Sequence, residues 1–177
     1  LFSRLGAYEP AWLDELLVEK ALFEYWAHAA CFIPIESYPL FRRSMLTGEH
    51  SYFGDVWPRE NMDLLTRVLE IVREKGPTRS VDFKSKKGPG GWWNRKDEKW
   101  ALEYWYLHGR LGIARRDNFQ RVYDLTERVL PALDDEKLPA KEVSYREFIL
   151  KTVGALGIAL PVWIPDYFRI GISAIER

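Results

Sequence analysis

Glu24 and His28 lie four positions apart in Leu22-Phe23-Glu24-Tyr25-Trp26-Ala27-His28. A carboxylate and an imidazole that share a pocket can order a water or hold an extruded base. A lone histidine beside alanines is more often a satisfied structural residue, and the residues alone allow both readings. A second group is basic: Lys84, Lys86 and Lys87, then Trp92-Trp93-Asn94-Arg95-Lys96, with Arg79 before them and Arg115, Arg116 and Arg121 after. Lysines and arginines displace counterions from a phosphate backbone, and Asn94 with the N–H groups of a helix start can receive a phosphate. Arginines on a hairpin suit phosphate or minor-groove contact. Trp92 could stack on exposed bases, although one of two adjacent tryptophans commonly packs inward. The plain alternative is a solvated loop and an edge strand protected by charge.

The charge distribution gives the basic group weight. The chain is formally neutral, so no partner follows from the total. Between Arg73 and Arg116, twelve Lys/Arg face five acids, a net +7 that leaves −7 for the rest. Such an asymmetry fits a polyanion lying on one face. The three histidines have no metal-ligand spacing, and the single cysteine, Cys31, rules out an intrachain disulfide or a cysteine cluster. Cys31 reads as a buried small hydrophobe. No phosphate loop, dinucleotide fingerprint or Ser-His-Asp order is present. Neither metal nor cofactor is expected.

The elements that would position these residues can be read from apolar period and breakers. Glu9-Pro10 opens a helix with Trp12, Leu13, Leu16 and Leu17 at helical spacing. Leu22–Trp26 and Cys31–Ile35 could continue the helix, as the alanines between them favour, or form a hairpin, as Pro34 and the strand-like flanks favour more; Ser37–Trp57, carrying Pro39, Gly48 and Gly54, reads as connector. Pro58 starts a helix on which Leu65, Val68, Leu69 and Val72 form one stripe, ended by Gly76-Pro77. A short helix follows Thr78, a third runs from Asn94 to about His108, and Gly109 ends it. Leu111–Arg115 and Phe119–Leu125 form a second hairpin around Arg116-Asp117-Asn118. Residues 132–143 read as a linker, and Ser144 to Gly157 as another helix before Pro165-Asp166-Tyr167-Phe168.

Helix, turn, helix and hairpin is the order of a winged helix-turn-helix. The expected fold is therefore mainly α with small antiparallel β-hairpins, an α+β chain of tandem winged-helix modules. Its expected parts are residues 1–57 as the tail of a first module, 58–131 as a complete central one, and 144–177 as the start of a third. Hydrophobic content of 47% and charged content of 29% read as soluble and globular. With no transmembrane pattern and no signal peptide, a cytoplasmic, nucleoid-associated location is expected. Leu1 in place of a start methionine suggests a piece of a longer protein.

Four strings carry a family resemblance: Leu22-Phe23-Glu24-Tyr25-Trp26-Ala27-His28-Ala29-Ala30, Gly91-Trp92-Trp93 with Lys96, Ala101-Leu102-Glu103-Tyr104, and Phe119-Gln120-Arg121-Val122-Tyr123-Asp124-Leu125-Thr126-Glu127-Arg128-Val129-Leu130-Pro131. In this order, over nearly the whole chain, they resemble the YcaQ-type crosslink-repair DNA glycosylases, relatives of the azinomycin-resistance glycosylase. The resemblance implies tandem winged-helix domains, double-stranded DNA as partner, and cleavage of the N-glycosidic bond of N7-alkylated purines in alkylated or crosslinked duplexes. The family's Gln-x-Gln or Gln-x-Asp signature has no match, since the single glutamine, Gln120, precedes Arg121 and Val122. No catalytic residue carries over, and the chain by itself is expected to have little or no glycosylase activity. A non-enzymatic winged-helix DNA-binding protein, such as a transcriptional regulator, is the alternative.

Overall fold

The computed structural model describes residues 6–83 and 97–169. Of the residues singled out above, Lys84, Lys86, Lys87, Trp92, Asn94, Arg95 and Lys96 lie outside the described residues. The remainder forms a mainly helical α+β chain with two separate two-stranded antiparallel sheets. Helix α1 (Ala11–Val18) leads into β1 (Leu22–Trp26) and β2 (Ala30–Pro34), then α2 (Tyr38–Thr47), α3 (Val56–Glu60) and α4 (Met62–Lys75). After residue 96 come α5 (Asp97–Leu107), β3 (Leu111–Asp117), β4 (Gln120–Leu125), α6 (Thr126–Val129), α7 (Lys141–Leu156) and α8 (Trp163–Phe168).

Helix α4 carries the expected apolar stripe but begins at Met62, whereas Pro58, expected to start it, lies in the separate short helix α3. Leu65, Val68 and Val72 are fully buried on one face, each worth roughly 1.5–3 kcal/mol of burial. Arg73 and Lys75 occupy the last turn, where cations oppose the helix dipole. The backbone turns away at Gly76, whose φ of 79° disfavours other residues. Trp105 of α5 donates its indole N–H to the Leu65 carbonyl at 2.8 Å, tying α5 across α4.

The region expected to be connector contains helix α2. Pro39 sits in the first turn, where its missing N–H costs nothing, and Gly48 ends the helix with φ 67°. Along this helix Tyr38, Phe41 and Met45 recur at i, i+3 and i+7, and all three are buried. The short helix expected after Pro77 is a single 3₁₀ turn, Ser80–Asp82, closed by the Arg79 N–H donating to Asp82 Oδ2 at 2.8 Å. Before it, Thr78 pairs with Tyr123 by two backbone hydrogen bonds of 2.8 and 2.9 Å, laying this segment along β4. Cys31 is half-buried rather than enclosed.

One buried cluster takes side chains from both hairpins and from α2, α4, α5 and α7. Tyr25, Phe41, Tyr106 and Phe148 are among its largest enclosed members. The Tyr25 hydroxyl donates to the Leu107 carbonyl at 2.7 Å, joining the first hairpin to the end of α5. The Gly109 carbonyl accepts from Arg42 Nη1 at 2.7 Å and from the Thr126 hydroxyl at 2.9 Å. That glycine is required: its φ is 64°, and a Cβ there would lie 2.6 Å from Arg42 Nη1 and 2.8 Å from Met45 Cβ.

Candidate nucleic-acid interface

The β3–β4 hairpin carries the arginines named from the sequence, and its register determines where they point. Leu111 pairs with Leu125 and Ile113 with Tyr123, but Arg115 then pairs with Val122. Ala114 is thus an extra residue, a β-bulge that shifts the following pairs by one. As a result Arg116 lies directly across from Arg121. Two like charges facing each other destabilise a sheet unless an anion lies between them.

Glu24 is that anion. It projects from β1, and its side chain is only 1% exposed. Arg116 grips it with both prongs, Nε to Oε2 at 2.8 Å and Nη2 to Oε1 at 2.7 Å. Arg121 Nε donates to the same Oε1 at 2.7 Å, and Arg121 Nη1 reaches Glu103 on α5 at 3.0 Å. The Arg121 guanidinium also lies 5.1 Å from the centre of the Tyr106 ring, within cation–π range. Burial works against the charge on Arg121, but the Glu24 and Glu103 carboxylates offset it and hold the proton more firmly than on an ordinary arginine. Burial pushes the hydroxyls of Tyr106 and Tyr123 well above the usual tyrosine range, so both stay neutral.

A cleft of about 530 Å³ opens beside this cluster, lined among others by Tyr52, Ser80, Lys99, Arg116, Phe119 and Tyr123. Nearer the hairpin end, Arg115 pairs with Asp117 at 3.0 Å. Arg79 pairs with Asp82 at 2.9 Å and lies 3.9 Å from Asp117. The Arg79 hydrogen bond holds the Asp82 carboxyl below the usual carboxylate range. Arg79 and Arg115 thus meet at Asp117 and Arg116 and Arg121 at Glu24, and each of the four is paired with an acid. The two-residue turn is Asn118-Phe119, one position later than the sequence suggests, and Phe119 is 92% exposed.

His28 and Glu24 do not meet in a hydrogen bond or ion pair. His28 Nδ1 lies 3.0 Å from the Asp166 carbonyl oxygen and 3.9 Å from Asp166 Oδ2. It lines a second, largely apolar cleft of about 710 Å³ with Phe32, Ile33, Trp163 and Phe168. Among the described residues, no group of three or more His, Cys, Asp or Glu could hold a metal ion, and no helix is long and apolar enough to cross a membrane. Glu103, Tyr106, Tyr123 and Phe119 were not marked as site residues by the sequence. For Phe119 the visible signal was an aromatic residue directly after the turn-forming Asp117-Asn118.

A family model described as DNA glycosylase AlkZ-like matches residues 1–175. The chain belongs to that family. Membership implies a DNA-repair glycosylase role with DNA as substrate. No solved structure matches the chain significantly.

Proposed function

We propose that this chain is the DNA-binding part of a glycosylase that excises N7-alkylated purines and unhooks interstrand crosslinks. The family match over residues 1–175 carries the reading, and the arginine-bearing hairpin beside an open cleft supports it. In this reading the helices and hairpin of residues 58–131 act as the central module of a tandem winged-helix array. Residues 1–57 and 144–177 belong to its neighbours, with 132–143 between. Lys84, Lys86, Lys87, Trp92, Asn94, Arg95 and Lys96 contact DNA together with Arg79, Arg115, Arg116 and Arg121. The enzyme works on the chromosome in the cytoplasm.

The chemistry asks little of a protein beyond placement. Alkylation at N7 makes the purine a cationic leaving group, and the sugar passes through an oxocarbenium-like state that needs a positioned water and negative potential nearby. Glu24 has both oxygens occupied by guanidinium donors. We infer that it anchors the hairpin rather than moves protons. The single glutamine, Gln120, lines the cleft but stands outside any Gln-x-Gln or Gln-x-Asp tripeptide. This favours, as a second reading, a chain that binds DNA without cleaving it.

The deciding experiment incubates a duplex carrying one N7-alkylguanine with the 177-residue chain, and separately with its upstream-extended open reading frame. Released base and an alkali-labile site are expected from the extended protein alone, and only where it carries the glutamine tripeptide. Binding without release by both would favour the regulator reading.

A further inference from the structure

We propose that the tip of the β3–β4 hairpin is a nucleobase-stacking probe, with Phe119 as the stacking side chain. The proposal rests on the DNA reading above and deepens it. Phe119 is the most exposed large apolar side chain among the described residues, at 92%. It also occupies a backbone position that local stability would give to another residue. Asn118 and Phe119 have φ of 48° and 65°, the paired left-handed conformations of a type I′ turn. Asparagine suits the first position and glycine the second, whereas a bulky aromatic is strained there. A ring that is exposed, strained and without a fold-holding role points to a ligand.

The tip is also held ready. Arg116 Nη1 donates to the Phe119 carbonyl at 3.0 Å while its other nitrogens grip the enclosed Glu24. The backbone under the ring is thereby fixed to the molecule's interior through two side chains. Stacking on a pre-placed ring loses less ordering entropy than stacking on a free one.

The surroundings select the partner. Asp117, Asn118 and Gln120 flank Phe119 in the chain, and the cleft it lines mixes aromatic rings (Trp26, Tyr52, Tyr123) with charged and polar side chains rather than forming the contiguous apolar patch a protein partner would bury. The adjoining cleft brings Lys99 and Arg116 beside Tyr52 and Ser80. Cations and hydroxyls beside an exposed aromatic suit a base whose phosphates lie alongside.

The test titrates the protein into duplexes bearing an N7-methylguanine, with 2-aminopurine placed in turn at each nearby position. Wild type, Phe119→Gly and Phe119→Trp are compared. The wild type and Phe119→Trp should raise the fluorescence at one or two adjoining positions as the base step opens. Phe119→Gly should abolish that rise and weaken binding about tenfold. Its thermal midpoint should rise, because glycine relieves the strained turn. If Phe119→Gly binds and reports like the wild type, the stacking role is wrong while the DNA reading stands. A lowered thermal midpoint in Phe119→Gly would make the ring a fold-holding residue and overturn the proposal. If the wild type binds no duplex, both readings fall together.

Discussion

Arg121 Nε and Glu24 Oε1 lie 2.7 Å apart although 97 positions separate them in the chain. This contact, doubled by the Arg116 grip on the same carboxylate, fastens the second hairpin to the first. The bulge at Ala114 makes it possible by bringing Arg116 across from Arg121. Without the shift, Arg115 would have faced Arg121, and Arg116 would have pointed to the other side of the sheet.

Removing Glu24 should cost more than a surface pair would. Glu24→Ala leaves Arg121 largely enclosed with only Glu103, and we expect a loss of about 3 kcal/mol in urea denaturation. Glu24→Gln keeps one acceptor and should lose less. A cycle of Glu24→Ala and Arg121→Ala should return a coupling of at least about 1 kcal/mol.

Stability should fall with acidity in two separate windows. His50 is enclosed by Tyr25 and Phe41, and burial lowers its pKa from 6.5. The unfolded chain therefore takes up its proton first, and stability declines as the pH falls below about 6.5. His50→Phe should flatten that slope in melts between pH 5 and 7 while leaving the alkaline side unchanged.

The second window belongs to Asp135, whose carboxyl accepts from Arg42 Nε and Nη2, both at 2.8 Å, and is held below its usual 3.8. A lowered carboxylate pKa contributes stability above the unfolded value and loses it as the pH drops through the folded one. Asp135→Asn should cost about 1 kcal/mol at neutral pH and show a shallower decline below about pH 4, read by thermal melts.

Gly109→Ala should destabilise by about 2 kcal/mol or more. The new methyl combines a left-handed backbone with collisions against Arg42 and Met45. Gly76→Ala, with open space around its Cβ, should suffer the backbone penalty alone. Comparing the two by chemical denaturation separates crowding from conformation.

Local rules made much of this fold readable. The 3.6-residue stripe of α4, the acidic start of α5 and both hairpins follow from apolar period, breakers and turn chemistry. Helix α2 was hidden because Pro39 and Gly48 read as breakers when they are a first-turn residue and a terminus. The turn came one residue late because Asp117 and Asn118 are equally good turn formers. The site was less legible. Glu24 stood out in the sequence, but beside His28, with which it forms no hydrogen bond or ion pair, and not with the arginines it holds. Its partners depend on a bulge and on contacts 92 and 97 positions away, which no local pattern encodes.

The most direct test of DNA recognition is a fluorescence-anisotropy titration of a labelled duplex carrying one N7-alkylguanine, repeated over a series of salt concentrations. The account predicts binding whose logarithm falls linearly with log salt at a slope of about −3 or steeper, as expected for several phosphates neutralised together. A slope near zero, or no complex at the lowest salt, would contradict it.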